Sequence, residues 1–325
     1  MARVLITRAL PGNDVERLVA AGHEVTVLPR SGPPDRAALL AAVAGYDALM
    51  PQLDETIDAA LLDACGAQLV VVANYAVGYN NIDVSAATDR GVWVGNTPGV
   101  LTDATADITW TLILAVARRA VCGDRRVRDG GFDGWSPEML LGLDLHGRTL
   151  ALVGPGRIAS AVAERATGWR MRIRYVGRQR KVEFERRFDA ERWTLAEALA
   201  GADVLSLHVP LTEETYHMVG AQELAAMKST AILINTSRGP VLDEQALVDA
   251  LQRRTIAGAG LDVYEHEPLL ADGLAACESA VLLPHLGSAT HTTRSEMTRL
   301  AVDNVLAVLA GGRPAHAVNH IASPR

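Results

Sequence analysis

Residues 148 to 180 read RTLALVGPGRIASAVAERATGWRMRIRYVGRQR, and this stretch limits the folds open to the chain more than any other. Leu150, Ala151, Leu152 and Val153 form an apolar run of buried-strand type that stops at Gly154. Gly154-Pro155-Gly156-Arg157-Ile158-Ala159 fits G-x-G-x-x-[GA], and Ile158, Val162 and Ala166 then recur at helical spacing. The pattern predicts a strand that turns tightly into a helix. Gly154 allows the turn, Gly156 lets a pyrophosphate approach the backbone, and Ala159 keeps the helix close to the sheet while free N–H groups face the anion. Taken alone, the hexapeptide fits an ordinary strand–helix turn equally well.

The next strand and turn carry more weight. This second strand, Met171 to Val176, comes at the expected distance, and it ends where a dinucleotide site chooses between ribose and phosphate. NAD sites usually place Asp or Glu there, about 20 residues after the first glycine, to accept from the 2′-OH. This chain has Gly177-Arg178-Gln179-Arg180-Lys181, three cations and no carboxylate. Charge runs usually lie on solvated faces. These charges fall where a 2′-phosphate would sit, and Arg can grip phosphate with two N–H groups, so the expected cofactor is NADP(H) in preference to NAD(H).

A chain of 325 residues can bury two cores, so two domains are expected. Half of it is apolar with few aromatics, an α/β composition, and a net charge of −7 argues against a general nucleic-acid binder. Cys65, Cys122 and Cys277 have neither metal-ligand spacing nor the even count of a disulfide framework; no metal is expected, and the cytoplasm is the expected compartment. The most apolar helical stretch, 108 to 117, is bounded by Asp107 and Arg118 and is too short to span a bilayer.

Before the glycine turn, short apolar runs alternate with helical spacing. Strands are expected at 4–6, 24–28, 48–50, 69–72 and 92–94, with helices at 14–21, 35–43 and 59–65. That alternation implies a small doubly wound parallel sheet. The loop from Asn74 to Asp83 comes after its fourth strand, at a carboxyl end where ligands bind in open α/β sheets; its small residues can offer bare N–H groups to a carboxylate or form a mere turn. Thr97-Pro98-Gly99 reads as a linker, and one long helix is expected from Thr102 to Val121. Beyond Lys181, strands at 204–209, 231–235, 258–263 and 280–283 alternate with helices at 195–199, 221–227 and 244–252. A last helix is expected at 293–309. The fold class is therefore α/β, two doubly wound parallel-sheet domains: a flavodoxin-like substrate domain of residues 1–98 with 288–325, and a Rossmann-type dinucleotide domain of residues 99–287. The active site is expected in the cleft between them.

Three strand ends of the second sheet carry polar groups: Thr236-Ser237-Arg238-Gly239, Glu265-His266-Glu267-Pro268 and Pro284-His285-Leu286-Gly287. Reduction of a 2-oxo acid needs a cation for the carboxylate, an acid for the carbonyl oxygen and a group that keeps that acid charged. Arg238, His285 and Glu267 fill these roles in order. Each has a duller reading: Arg238 neutralising a loop carboxylate, Glu267 capping a helix, His285 as a satisfied buried histidine.

At these residues the chain resembles the D-isomer-specific 2-hydroxyacid dehydrogenases over nearly its whole length. The likeness runs through Ala76-Val77-Gly78 with Asn81-Ile82-Asp83, the Gly154 motif, Leu207-His208-Val209-Pro210-Leu211-Thr212 with Thr215-Tyr216, Asn235-Thr236-Ser237-Arg238-Gly239, Gly260-Leu261-Asp262-Val263 with Glu267-Pro268, and Pro284-His285-Leu286-Gly287-Ser288. Within the family it is most similar to glyoxylate and hydroxypyruvate reductases, through Asn74-Tyr75-Ala76-Val77-Gly78-Tyr79, Thr97-Pro98-Gly99-Val100-Leu101-Thr102-Asp103 and Gly177-Arg178-Gln179. The resemblance implies Arg238, Glu267 and His285 as the catalytic set, with His285 the proton donor in reduction. Leu53, Ala76, Val77 and Gly78 are implied to contact substrate. Cofactor contacts are implied at Gly154, Pro155, Gly156, Arg157, Ile158, Gly177, Arg178, Gln179, Arg180, Val209, Pro210, Thr215, Thr236, Ser237, Asp262 and Gly287. It also implies a homodimer joined through the nucleotide domains, with Trp135 to Gly142 at the interface. Pro155 removes one N–H from the phosphate turn, which shifts the expected phosphate contacts to Gly156, Arg157 and Ile158. A 3-phosphoglycerate dehydrogenase, or a cofactor-sensing protein of this fold without turnover, is the alternative.

Overall fold

The computed structural model describes residues 1–29, 32 and 35–322. They divide into two units, Met1–Leu101 with Ala289–Arg325, and Thr102–Ser288. The expected range 288–325 ends in Ser323, Pro324 and Arg325, which lie outside the described residues.

The first unit begins with β1 (Arg3–Ile6), α1 (Glu16–Ala20), β2 (Glu24–Val27), α2 (Arg36–Ala42), β3 (Ala48–Met50), α3 (Ala59–Cys65), β4 (Val71–Ala73), α4 (Val84–Asp89) and β5 (Trp93–Gly95). The second unit contains α5 (Thr102–Ala117), α6 (Ala120–Arg128), β6 (Thr149–Val153), α7 (Arg157–Ala166), β7 (Arg172–Val176), α8 (Val182–Phe188), β8 (Glu191–Arg192), α9 (Leu195–Gly201), β9 (Val204–Leu207), α10 (Ala221–Ala226), β10 (Ile232–Asn235), α11 (Glu244–Gln252), β11 (Gly258–Leu261) and β12 (Ala280–Leu282). The chain then returns to the first unit as α12 (His291–Leu309).

The first sheet is parallel throughout, in the order β2-β1-β3-β4-β5. The alternation of side chains along a strand sorts its residues into two cores. Leu5, Leu49, Val72 and Val94 face a layer that holds Leu39, Leu61, Leu62 and Ala87. Val4, Ile6, Ala48, Met50, Val71 and Ala73 face Leu18 together with Met297, Ala301, Val302 and Val305 of α12. Because both faces are covered, the strands read as unbroken apolar runs. Asp35, Asp58 and Asp83 each cap a helix by accepting from the N–H three residues on. The tail closes the sheet edge: Val318 N–H donates to Val94 O at 2.7 Å, and Asn319 Oδ1 accepts from Val94 N–H at 2.9 Å.

The second sheet is also parallel, in the order β12-β11-β10-β9-β6-β7-β8. The chain leaves β6 toward β7 and β8, then returns to lay β9 on the other side, so the topological switch falls between β6 and β9. One face packs on α5 and α7, through Trp110, Ile113, Val162 and Ala166. The other packs on α9 and α11, through Ala198, Leu199, Leu247 and Leu251. A Cβ on Gly260 would lie 2.9 Å from Leu112 Cβ, so bare backbone in β11 is what lets α5 lie this close to the sheet.

Three expectations change. The long helix expected at 102–121 ends at Ala117, because Leu143 N–H binds Ala117 O at 2.8 Å and Arg119 turns left-handed (φ 53°). The chain then resumes as α6, none of whose residues is buried. Three short elements go unforeseen: α4, built from Val, Ser, Ala, Thr and Asp, α8, where Phe184 is the one buried residue among charges, and the two-residue strand β8. Several strands stop early, at Leu207 and Leu261 among others, which leaves His208, Val209, Asp262 and Val263 in the loops beyond. Among the described residues no helix is long and apolar enough to cross a membrane, and no group of His, Cys, Asp and Glu could hold a metal ion.

Candidate active site

The glycine turn leaves β6 at Gly154, whose φ of 96° favours glycine and where a Cβ would lie 2.8 Å from His208 O. Gly156 N–H donates back to Gly154 O at 2.7 Å, closing a tight turn around Pro155. The N–H of Gly156, expected to face a phosphate, is therefore used inside the turn. The first-turn N–H groups of α7, on Arg157, Ile158 and Ala159, have no intrahelical acceptor. A Cβ on Gly156 would meet nothing closer than Gly154 O at 4.0 Å, so the space before the helix is open. An open approach, a helix N-terminus and a topological switch point together fit a dinucleotide pyrophosphate.

At the end of β7 the expected cations separate. Arg180 is paired with Glu185 at 2.8 Å, whereas the Arg178 guanidinium is exposed and forms no hydrogen bond with the described residues. Arg192 of β8, not foreseen, donates to Gly177 O and Arg178 O, both at 3.1 Å, and holds the turn. Gly177 lies against the Pro155 ring, where a Cβ would be 3.0 Å from its Cδ. Beyond β9, the Thr215 hydroxyl donates to Pro210 O at 2.6 Å and accepts from Thr212 N–H at 2.8 Å, so it staples its own loop. His208 is hydrogen-bonded to Ser206 Oγ at 2.9 Å, and burial pushes its pKa down to about 4.

The three polar strand ends come together within the second unit. Asn235, fully buried, shapes the turn after β10: its Oδ1 accepts from Ser237 N–H (3.0 Å) and Oγ (2.8 Å), and its Nδ2 donates to Arg238 O (2.9 Å). Gly239 then touches the loop after β11 so closely that a Cβ would lie 1.8 Å from Tyr264 O. On that loop, Glu267 Oε1 accepts from Tyr264 N–H at 3.0 Å, and Oε2 lies 2.9 Å from His285 Nδ1. Buried Glu244 bolts the loop down by accepting from Glu265 N–H and Ala271 N–H, each at 2.7 Å. His285 stands in the left-handed region (φ 55°), and its loop is fixed by Asp262, which accepts from Leu286 N–H at 2.6 Å and Gly287 N–H at 2.8 Å.

A chain of threonines ties these ends to α5. Thr105 Oγ1 donates to Gly287 O at 3.1 Å, and Thr109 Oγ1 donates to Thr105 O at 2.9 Å. Thr109 therefore has no hydrogen left for Thr236 Oγ1, 2.9 Å away, so Thr236 is the donor and keeps its lone pairs for an incoming N–H.

The electrostatics sort the groups. Burial disfavours an ionised Glu267, but the hydrogen bond and charge of His285, the Tyr264 N–H and the charge of Arg238 outweigh it and hold its carboxyl below the usual range. Burial raises Asp262 in spite of its two N–H donors. Burial also lowers Arg238, an effect that the charge of Glu267 partly offsets. With Nδ1 on the carboxylate, His285 Nε2 has no partner among the described residues, and its side chain keeps 28% exposure.

In the first unit, three successive carbonyls of the loop after β4 are turned inward. Ala76 O accepts from Thr97 N–H (3.0 Å), Val77 O from Asn96 Nδ2 (2.7 Å) and Gly78 O from Asn74 Nδ2 (2.8 Å). The N–H groups of Ala76, Val77 and Gly78 have no partner among the described residues. Asn81 Nδ2 reaches Gln52 O and Glu55 O, both at 3.1 Å, and ties in the turn that carries half-exposed Leu53.

Residues 110–287 match the family profile described as D-isomer specific 2-hydroxyacid dehydrogenase, NAD binding domain. A glyoxylate reductase of Korarchaeum cryptofilum is 47% identical over 98% of this chain and 96% of its own length. The chain belongs to the D-isomer-specific 2-hydroxyacid dehydrogenases. A crystal structure of a Thermus thermophilus protein superposes with a TM-score of 0.92 at 48% identity, covering 98% of this chain and 100% of that one. The NADPH-dependent glyoxylate/hydroxypyruvate reductase of Sinorhizobium meliloti, solved with NADP and malonate, gives a TM-score of 0.87 at 34% identity, over 100% of this chain and 98% of that one.

Several supporting residues escape a reading of strand ends. Asn96, Thr105, Thr109, Arg192 and Glu244 lie outside the glycine- and histidine-bearing motifs. Asn96 stands directly before Thr97-Pro98, and Thr105 and Thr109 share a helix face, but neither signal specifies a partner.

Proposed function

We propose that the protein reduces a small 2-oxo acid, glyoxylate to glycolate or hydroxypyruvate to D-glycerate, with NADPH as the preferred reductant. The observation that carries this reading is the His285–Glu267 pair at 2.9 Å, with Nε2 of the imidazole unpartnered among the described residues. A bound nicotinamide supplies the hydride. Arg238 takes the substrate carboxylate and carbonyl oxygen, and the Ala76, Val77 and Gly78 N–H groups are assigned to substrate on the family resemblance. His285 Nε2 gives its proton to the carbonyl oxygen, and Glu267 steadies the imidazolium before the transfer. Thr236 and Asp262 serve the nicotinamide half, and Arg178 reads the 2′-phosphate. The homologues named glyoxylate reductase support the same substrate class.

We further take the protein to be a homodimer through its nucleotide domain. Phe132, Trp135 and Leu141, exposed by 50%, 81% and 68%, would be covered there, and light scattering should return twice the chain mass. The free thiols of Cys65, Cys122 and Cys277 suit the cytoplasm as its compartment.

The test is to follow NADPH and NADH oxidation with glyoxylate, hydroxypyruvate, pyruvate and phosphohydroxypyruvate. A clear preference for NADH overturns the cofactor assignment, and a preference for phosphohydroxypyruvate overturns the substrate. His285→Gln should lower kcat by roughly 100-fold or more while NADPH still binds. Unchanged turnover would remove His285 from its role.

A further inference from the structure

The end of β7 holds a carboxylate that the cofactor assignment leaves unexplained. Glu185, in the first turn of α8, makes two bonds: its Oε1 accepts from Tyr175 OH at 2.6 Å, and its Oε2 accepts from Arg180 Nε at 2.8 Å. Tyr175 OH in turn accepts from Lys181 N–H at 2.9 Å. Tyrosine, turn and helix are thus tied into one unit, with Arg180 folded back onto it. The Arg180 side chain remains 72% exposed, and its charge stands one residue from Gln179 and two from Arg178. Beside the glycine turn is a cavity of about 400 Å³, lined by Pro155, Ser160, Arg180, Lys181 and Arg187 among others. Arg187 is itself paired with Glu164 at 2.9 Å.

We propose that Glu185 sets the strength of the preference for NADPH by competing with its 2′-phosphate for Arg180. This rests on the proposed placement of the adenosine ribose at the Arg178 turn. The pair is open to solvent on its arginine side, 72% exposed against 15% for Glu185, so the Arg180 guanidinium can swing away while Glu185 stays in place, and a dianionic phosphate held by Arg178 can draw it off. A cofactor with a free 2′-OH offers nothing in exchange, and the Arg180–Glu185 pair stays closed. Glu185 therefore weakens NADPH binding and leaves NADH binding unchanged. Meanwhile the Tyr175 bond keeps the turn in shape.

The experiment is a fluorescence titration of NADPH and NADH on the wild type, Glu185→Gln, Arg180→Ala and the double variant. Glutamine preserves an acceptor for Tyr175, and thermal melts check that each variant is folded. In Glu185→Gln the NADPH dissociation constant should fall by roughly two- to fivefold, with that for NADH unchanged. In the Arg180→Ala background the same substitution should change nothing. An equal gain for both cofactors, or a gain that persists without Arg180, overturns the role of Glu185. If the wild type itself prefers NADH, the proposed cofactor assignment falls with it. If it prefers NADPH but Glu185→Gln brings no selective gain, only the role of Glu185 falls.

Discussion

Gly239 joins the turn of Arg238 to the loop of Glu267, and adding one methyl group there should disable catalysis without disturbing cofactor binding. An ideal Cβ on Gly239 would lie 1.8 Å from Tyr264 O and 1.9 Å from Tyr264 C. Carbon atoms in contact need about 3.5 Å, so the two backbones must part by roughly 1.5 Å. Both obstructing atoms are main chain, held by Glu267 Oε1 at Tyr264 N–H and by Glu244 at Glu265 N–H, so no side chain can swing aside. The displacement falls on Arg238, one residue before the glycine, and on Glu267, three residues after the tyrosine. A misplacement of about 1 Å in a catalytic group costs on the order of 100-fold in rate. Overpacking of this kind also costs about 1–3 kcal/mol, a drop of roughly 2–10 °C in Tm for a unit of this size. Gly239→Ala should therefore lower kcat/KM by about 100-fold while the dissociation constant of NADPH stays near wild type, since the Gly154 turn belongs to another loop. Steady-state kinetics, a fluorescence titration of NADPH and a thermal melt on the same preparation decide it. A variant within about threefold of wild-type kcat/KM would mean that the Gly239 contact does not set the position of Arg238 and Glu267.

Two further outcomes depend on single side chains. Asn96→Ala removes the donor that holds Val77 O inward (2.7 Å), so the loop loosens and KM for the 2-oxo acid should rise roughly fivefold, the worth of about 1 kcal/mol, with kcat less affected; an unchanged KM would exclude the loop from substrate binding. His208, held neutral by burial with a pKa of about 4, binds fewer protons folded than unfolded between that value and about 6.5. Its contribution is thus present above about pH 6.5 and is lost as pH falls toward 4, by up to roughly 3 kcal/mol. His208→Gln should flatten the decline of denaturant-measured stability across that window, and parallel curves for the two proteins would refute it.

The legible parts of this chain are those in which one residue type answers one local demand. Gly154 can be read because a left-handed turn beneath a helix leaves few choices. Arg238, Glu267 and His285 can be read because each closes a strand of the same sheet. The hidden parts depend on pairs far apart in the chain. Nothing near Arg192 announces that it will hold the carbonyls of Gly177 and Arg178. Val121 continues an apolar period past Ala117, so the break at Arg118-Arg119 depends on Leu143 returning to take the Ala117 carbonyl. The expected set of three cations at the turn fails to separate Arg178 from Arg180 for the same reason: the partner of Arg180 lies on a helix too short and too charged to show itself.

Two carboxylates with opposite environments divide the work around His285. Asp262 is buried and gives both oxygens to the backbone of Leu286 and Gly287; burial raises its pKa, the charge of His285 works against that rise, and no hydrogen bond joins it to the ring. Glu267 keeps 30% exposure and a lowered pKa, and it meets the ring directly at Nδ1. The left-handed backbone of His285, strained by an amount on the order of 1 kcal/mol, persists because Asp262 fixes the two residues after it. Under the proposed reaction the loop of the proton donor is therefore aimed by one acid and its ring met at Nδ1 by the other, and the position of Nε2 is set before any substrate arrives.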